Sequence, residues 1–409
     1  MTTNGKLAYL VSRFPKISET FILYEILELR KLGFEIDIFP LVREREDIQH
    51  PEVAFLMSRT HYHSVFSVSV VLAQLFWIAR RPLQYFGALW NVVRGNASSP
   101  KFLVRGIVAF LLAGLFAKTI KRSGIGHIHA HWATHPALAA YVVHRLTGLP
   151  YSFTAHAHDI YVEQSMLREK IDESEFVVTI SEFNRRFLAG LYGQQIASKI
   201  DVIHCGIDLE VFQPRDTTQK ADEFTLICVA SLEEKKGHKY LIEACAQLVK
   251  KGVALNCLLV GDGDMRVELE AMIQQHGLSQ YVKLLGRQPR HRVGELLAQS
   301  HALVLPSIVT SKGKMEGIPV ALMEALAMQM PVIATNISGV SELVEHNVTG
   351  LLVPEKDASA LAAAIEAVRK DPDAAAIRGR RGREKVVAEF DLHANTEALA
   401  QRFAASIAE

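Results

Sequence analysis

Short apolar runs alternate with helix-period segments along most of this chain, and that alternation narrows its possible architectures more than any other feature. Between Phe224 and about Val368, the runs Phe224-Thr-Leu-Ile-Cys-Val-Ala230, Leu255-Asn-Cys-Leu-Leu-Val260, Val282-Lys-Leu-Leu285, Ala302-Leu-Val-Leu-Pro306 and Pro331-Val-Ile-Ala334 read as strands separated by helical patterns. Such a succession predicts a parallel sheet covered by helices. The first half repeats the pattern. Lys6-Leu-Ala-Tyr-Leu-Val11 and Glu35-Ile-Asp-Ile-Phe-Pro-Leu41 read as strands, and Thr20 to Leu32 between them has helical periodicity stopped by Gly33. With 409 residues and 49% apolar content, the chain can build two separate cores. The boundary is expected within Cys205 to Pro214 and the polar Arg215 to Glu223 stretch, giving domains 1–207 and 218–385 and a final segment 386–409.

In open sheets of this kind ligands collect beyond the carboxyl ends of the strands. Three strand exits are equipped for that: Ser231 to Gly237 with Lys235 and Lys236, Gly261-Asp-Gly-Asp264, and the Gly286-Arg287 turn. Lysine supplies a compact cation, and glycine lets backbone approach a ligand closely. A fourth exit carries Lys312-Gly-Lys-Met-Glu-Gly-Ile-Pro-Val-Ala-Leu-Met-Glu-Ala-Leu-Ala327. Pro319 suits a first helical position, so the amides of Gly317 and Ile318 are expected to point outward at a helix N-terminus, where an anion binds.

Glu316 and Glu324 would repel that anion, so they are expected to accept hydrogen bonds from neutral hydroxyls on either side of it. A nucleotide sugar meets those demands, with its diphosphate on the turn, its sugar toward Glu316 and its ribose toward Glu324. Two glutamates alone are ordinarily a loop charge and a helix-surface residue. The surrounding strand and helix alternation singles this pair out.

In order and spacing, Lys236-Gly237, Gly261-Asp-Gly263, Leu285-Gly286, Pro306-Ser307, Glu316-Gly-Ile-Pro319, Glu324-Ala325, Pro331 to Ala334, Gly339 with Glu342, and Gly350-Leu-Leu-Val-Pro354 resemble the donor-binding domain of family 4 retaining glycosyltransferases. The opening Ser12-Arg-Phe-Pro15 with Ser18-Glu-Thr-Phe21 looks like the exopolysaccharide and colanic-acid branch of that family. The resemblance implies an α/β GT-B fold, two Rossmann-like domains facing across a cleft, with a C-terminal helix from about Val386 crossing back to the first domain. It also implies that Lys236 binds the diphosphate, Glu316 the sugar and Glu324 the ribose, with Ser231, Gly261, Gly263, Gly286, Arg287, Gly317 and Ile318 around the donor. In Tyr151-Ser-Phe-Thr-Ala-His-Ala-His-Asp159, His156 matches the histidine near the transferred sugar, placed to hydrogen-bond a hydroxyl rather than abstract a proton; His158 beside it is ambiguous. Arg13, Phe14, Pro15 and Glu19 fall on the acceptor side, as does Asp159, which closes the loop that carries His156.

The reaction so implied moves one sugar from a UDP- or GDP-sugar to a lipid-linked oligosaccharide, with Glu316, His156 and Lys236 as the catalytic set. Attack comes from the face the phosphate leaves, the phosphate takes the acceptor's proton, configuration is retained, and no metal or other cofactor is required. One position departs from the family pattern: Ser231 stands where an arginine is usual, and Lys235, Arg287 or Arg292 are the candidate replacements. That departure keeps open a second reading, a catalytically silent nucleotide-sugar-binding subunit that scaffolds a membrane polysaccharide complex. A phosphorylase of the same fold is disfavoured, since nothing suggests a lysine site for pyridoxal phosphate.

His127, His129 and His131 recur with period two and so share one strand face. A metal there is disfavoured because this segment contains no acid to support the ligands; backbone pairing or a place lining the cleft is expected instead. Cys205, Cys228, Cys245 and Cys257 lack Cys-x-x-Cys spacing, which points to a reducing compartment without disulfides.

From Val53 to His158 there is no acidic residue but ten lysines and arginines, a local charge of +10 against −9 for the remainder. Phe66, Phe76, Trp77, Tyr85, Phe86, Trp90, Phe102, Phe110 and Phe116 interleave with those cations on helical patterns over 60–122. This combination favours contact with an anionic membrane surface over mere packing on the first domain's sheet. Nucleic acid is not an expected partner, since no recognition motif accompanies the charge. The N-terminus lacks a basic region followed by an apolar core, and the nearest approach to a spanning segment is Ser64 to Ala79, ended by Arg80-Arg81. A cytoplasmic protein, peripheral at the inner face of the membrane, is the expectation.

Overall fold

The computed structural model describes residues 4–16, 19–44, 53–214 and 223–408. Ser18 of the opening motif and residues 215–222 of the polar stretch lie outside them. Packing separates unit 1, Met1–Gly206 with Leu392–Glu409, from unit 2, Ile207–Asp391.

In unit 1 the principal elements are β1 (Lys6–Phe14), α1 (Thr20–Lys31), β2 (Glu35–Arg43), α2 (Val68–Arg80), α3 (Pro82–Asn96), α4 (Pro100–Arg122), β3 (His127–His131), α5 (His135–Thr147), β4 (Tyr151–Ala155), β5 (Phe176–Thr179) and β6 (Ile200–Val202). The strands form one parallel sheet in the order β2-β1-β3-β4-β5-β6. Every residue of β3, β4 and β5 is buried, as expected where helices cover both faces. Because β2 lies to one side of β1 and β3 to the other, the order reverses between β1 and β3. A ligand crevice belongs at such a point.

Unit 2 contains β7 (Thr225–Val229), α6 (His238–Lys250), β8 (Asn256–Val260), β9 (Val282–Gly286), β10 (Ala302–Leu305), α7 (Val320–Ala327), β11 (Val332–Thr335), β12 (Leu351–Val353) and α8 (Pro372–Glu389). Its sheet runs β12-β11-β10-β7-β8-β9, again parallel, and reverses between β7 and β10.

The last helix, α9 (Leu392–Ala408), returns to unit 1. It starts later than expected, because Val386 is a fully buried residue of α8 and the turn falls at Phe390 and Asp391. Helix α9 lays Leu399 and Phe403 against Tyr9, Ile26 and Phe34 in one apolar cluster. Truncating Phe403 to alanine there would cost about 3–5 kcal/mol.

Helix α4 corrects the search for a spanning segment. It is 23 residues long and apolar enough to cross a membrane by length and composition, with 56% of its most apolar window buried in the fold. The Ser64 to Ala79 run instead contributes the 13-residue α2.

Candidate functional site

In unit 2 the chain leaves β7, makes one tight turn at Glu234–Lys236 and reaches Gly237, whose φ of 67° starts α6 from a left-handed conformation. A Cβ at Gly237 would fall 1.9 Å from the Pro306 carbonyl oxygen. The loop after β7 is thus pressed against the loop after β10, and Ile308 N–H donates to the Lys235 carbonyl at 2.8 Å. This contact carries both lysines to the far end of the β10 loop. Lys235 Nζ and Lys236 Nζ each lie 2.7 Å from a different oxygen of the buried Glu316 carboxylate. Burial pushes that carboxyl up, yet the two ammonium groups outweigh it and hold it down to about 2.

Ser338, at φ 45°, donates its hydroxyl hydrogen to the Glu316 carbonyl at 2.6 Å and so fixes the carbonyl side of the turn. The backbone amides of Gly317 and Ile318 have no hydrogen-bond partner among the described residues. Two orphan donors ahead of a helix, beside two lysines, form an anion cradle. The helix itself begins one residue later than expected, since Pro319 is the extended N-cap and Val320 the first helical residue. Glu324 sits one turn inside α7. Burial pushes its carboxyl up to about 7, opposed by the Arg290 guanidinium.

Other donor-side residues have partners within the protein. The glycines at 261 and 263 are needed by the protein's own backbone. A Cβ at Gly261, whose φ is 138°, would stand 2.0 Å from the Ala230 carbonyl oxygen, and one at Gly263 would stand 2.6 Å from that of Leu232. Gly261 N–H donates to the Gly286 carbonyl at 2.9 Å, so the β8 and β9 exits are tied together. The Ser231 hydroxyl donates to Glu233 at 2.8 Å. Of the three cations considered in place of an arginine there, Arg287 is exposed beyond β9, Arg292 pairs with Glu295 at 2.5 Å, and Lys235 joins the Glu316 cluster.

Unit 1 assembles a second cluster at its β1/β3 reversal. The β3 histidines do share a buried row, and side chains of β4 and the helices satisfy them rather than backbone. His127 bonds Ser406 Oγ at 2.6 Å and Ser152 Oγ at 2.7 Å; His129 bonds Ser152 Oγ at 2.8 Å and Thr154 Oγ1 at 3.0 Å. Burial pulls the His127 imidazole down to about 3 and that of His129 well below the usual range, so both stay neutral. The expectation that no acid supports this row was drawn from the segment alone and is corrected. Helix α1 brings Glu25 to His131 Nε2 at 2.8 Å, and Glu175 bonds the Ser406 hydroxyl at 2.7 Å. Donor atoms of Glu25, His129 and His131 lie within 4.8 Å of one another, close enough to hold a cation. All four ring nitrogens are already hydrogen-bonded, so the cluster is satisfied by hydrogen bonds alone.

His156, at the exit of β4, completes the cluster. Its ring is held by Trp132, Phe21 and His131, with centroids 4.5, 4.8 and 5.5 Å away, and its carbonyl accepts from Asn184 Nδ2 at 2.6 Å. Asp159 closes the His156 loop, as the resemblance implies. Only 1% exposed, it takes the amides of Ala133 at 2.7 Å, Ala157 at 2.8 Å and His156 at 3.1 Å, and so staples the β3 and β4 exits together. From the other side Lys170, whose ammonium burial pulls down to about 7, donates to the Ala133 carbonyl. His158 pairs with Glu163 at 3.2 Å.

The acceptor-side motif is likewise largely committed. Phe14 is a core residue joined to Pro15 by a cis bond, Arg13 pairs with Glu44 at 2.9 Å, and Glu19 pairs with Lys16 at 2.7 Å.

Glu25, Asn184, Lys170 and Ser338 carry no expectation from the sequence. A signal existed for Glu25: it follows Phe21 by four positions on a helix that buries Ile22, Ile26 and Leu29, so both meet the same neighbour. All four cysteines are free thiols.

The basic aromatic region divides in two. Trp77, Tyr85, Phe110 and Phe116 are core residues, and Phe102 stacks on His135 at 5.8 Å. On α2, Val70, Ala73, Gln74 and Trp77 face inward, while Val68, Val71, Leu72, Leu75 and Phe76 form a second apolar stripe at 37–73% exposure. On α3, Leu83, Phe86 and Trp90 do the same at 54–84%.

Residues 18–211 match the family model Glycosyltransferase Family 4, and residues 212–385 match Glycosyl transferases group 1. A colanic acid biosynthesis glycosyltransferase of Escherichia coli is 31% identical over 97% of this chain and 98% of its own, and an amylovoran biosynthesis glycosyltransferase of Erwinia amylovora is 30% identical over the same shares. Among solved structures, a Rickettsia africae glycosyltransferase superposes with a TM-score of 0.75 over 100% of both chains at 20% identity. Anabaena HepE, in complex with UDP-glucose, gives 0.74 over 98% of this chain and 100% of that one at 18%. Two parallel six-stranded sheets of this topology define the GT-B fold class. The chain belongs to the glycosyltransferases of family 4, the family its own motifs resemble.

Proposed function

We propose that this chain moves a sugar from a nucleotide-sugar donor to a lipid-linked acceptor in the assembly of a cell-surface polysaccharide, with retention at the anomeric carbon. The observation that carries the reading is the convergence of Lys235, Lys236 and the unpaired Gly317 and Ile318 amides around Glu316 at the β7/β10 reversal. Breaking the bond from anomeric carbon to phosphate leaves negative charge on the nucleotide and positive character on the ring. Cations and amides set in advance stabilise that departing charge where it appears. Glu316 accepts hydroxyl bonds from the sugar, Glu324 holds the ribose, and His156 bonds a sugar hydroxyl. The departing phosphate takes the acceptor's proton, so these residues need no metal and no carboxylate nucleophile. The UDP-glucose complex of the Anabaena protein supports a nucleoside diphosphate donor, and the relatives named for colanic acid and amylovoran biosynthesis support the polysaccharide context.

The exposed apolar stripes of α2 and α3, flanked by Arg80, Arg81 and Arg94, support contact with the anionic inner face of the membrane, where a lipid-linked acceptor is presented. Aromatic and aliphatic groups at headgroup depth combine there with about 1 kcal/mol of attraction per basic residue.

A thermal-shift panel of UDP- and GDP-sugars tests the donor, because a bound ligand raises apparent stability by mass action. NMR of the product tests the stereochemistry, and inversion at the anomeric carbon would overturn the assignment. Flotation with liposomes should require anionic lipid and weaken in Trp90→Asp; equal flotation on neutral vesicles counts against the membrane part. Donor binding with neither transfer to any acceptor nor hydrolysis in its absence would favour the silent scaffold.

A further inference from the structure

A chain of hydrogen bonds in unit 1 ends on His156, and its far members have no part in the reading above. The Tyr9 hydroxyl donates to Glu25 Oε1 at 2.8 Å, His131 Nε2 lies 2.8 Å from the same oxygen, and His131 Nδ1 lies 3.2 Å from His156 Nε2. A carboxylate only accepts, so the hydrogen in the second contact belongs to His131 Nε2. A neutral imidazole that carries its hydrogen on Nε2 has a bare Nδ1, so with His131 neutral that nitrogen accepts from His156. His156 then keeps its own hydrogen on Nε2. Burial and the neighbouring His131 hold this ring neutral, which leaves Nδ1 as a lone-pair acceptor. That nitrogen has no hydrogen-bond partner among the described residues.

We infer that Glu25 and His131 are positioning residues that lock His156 in the Nε2–H form, so that it meets its substrate through Nδ1 as a hydrogen-bond acceptor and selects a group that donates. The ring cannot escape by turning over, because Phe21 and Trp132 pack on it and Asn184 and Asp159 fix its backbone. The ligand chemistry follows. A free hydroxyl fits opposite Nδ1, whereas a methoxy, a fluoro substituent or a phosphate oxygen cannot donate and is rejected. That selection rests on the proposed placement of His156 at the reacting sugars; the tautomer does not.

The test is the two-dimensional ¹H–¹⁵N spectrum of the intact chain labelled at histidine, with His156→Ala to assign the resonance. The expected spectrum has His156 protonated at Nε2 and bare at Nδ1. In Glu25→Gln the amide NH₂ can donate to His131 Nε2, which reverses the chain and moves the His156 hydrogen to Nδ1. Turnover should then fall roughly tenfold or more, as for loss of the group that orients a functional histidine, with the donor KM unchanged. Tyr9→Phe leaves the Glu25 to His131 contact and should alter neither readout by more than about twofold. A wild-type spectrum with bare Nε2 on His156 overturns the inference, and so does a Glu25→Gln spectrum identical to wild type. An altered tautomer with unchanged turnover overturns its part in the reaction. If Glu25→Gln does not fold, the wild-type spectrum alone decides. Because the spectra need neither donor nor acceptor, a correct tautomer in a protein that transfers no sugar would sink the proposed function and leave this inference standing.

Discussion

Unit 1 and unit 2 each gather polar side chains where their sheet order reverses, but they solve the cost of burial in opposite ways. Unit 2 keeps a buried carboxylate ionised by setting two lysines 2.7 Å from it, so Coulomb attraction in a poorly hydrated site offsets the lost solvation. Unit 1 buries the imidazoles of His127, His129 and His156 as neutral rings, with serine, threonine or a second imidazole on every nitrogen except His156 Nδ1. The chemistry follows from the difference. On the proposed function, three charges summing to +1, with two free amides, receive the departing diphosphate, and the neutral network selects hydroxyls by who donates to whom.

The sharpest break in that comparison is acid. Imidazoles kept neutral in the fold but free to protonate once unfolded bind fewer protons in the native state. Their stabilisation is complete above pH 6.5 and is lost as pH falls toward the folded values, about 3 for His127 and about 4 for His135. Each such ring costs roughly 1 kcal/mol per pH unit in that window. In unit 1 the rings of His127, His129, His135 and His156 behave this way, whereas in unit 2 His238 does, its value pulled down to about 4. The stability that Glu316 contributes is lost only between 4.5 and about 2. Hydrogen exchange followed by mass spectrometry from pH 7 to 5 should therefore show peptides of β3 and β4 opening before those of β7 and β10; the reverse order would break the contrast.

Next in size is the charged cluster. Glu316→Gln or Lys236→Ala should each lower turnover about 100-fold, the scale for losing one preorganised electrostatic contact. Wild-type turnover in Glu316→Gln would show that the catalytic site lies elsewhere. His156→Ala removes a single neutral hydrogen bond and should cost less, roughly tenfold, in steady-state kinetics with donor and acceptor both saturating. A loss as large as that of Glu316→Gln would give unit 1 a charge-handling role that the neutral network does not provide.

The smallest effect concerns Glu324. With its carboxyl pushed up to about 7 in the free protein, it must release a proton to accept two ribose hydroxyls. Donor affinity by calorimetry should rise several-fold from pH 6 to 8 in the wild type and stay flat in Glu324→Gln. A parallel rise in both would remove Glu324 from the ribose site.

The strands and helices were legible in the sequence because they depend on local periodicity. β8 and β9 fall within a residue of the apolar runs that announced them, and α1 stops one residue short of the predicted Leu32. The Glu316 turn was legible because its glycine, proline and flanking acids are contiguous. What local motifs could not supply were the partners that lie on remote segments. The Ala230 and Leu232 carbonyls that crowd Gly261 and Gly263, and the Ala133 amide that Asp159 accepts, lie on other segments that the local motif does not contain.

By itself, then, the order of apolar and polar residues determined two helix-covered parallel sheets, the family, and the contiguous Glu316 to Pro319 turn ahead of α7, since each rests on near neighbours in the chain. Only tertiary structure decided that Lys235 and Lys236 close on a glutamate 80 positions away, that Glu25 reaches a histidine 106 positions on, and that half of the basic aromatic segment faces outward. The physical reason is that ionisation, tautomer and exposure are properties of a side chain's surroundings, and those surroundings come into being only when distant strands are packed side by side.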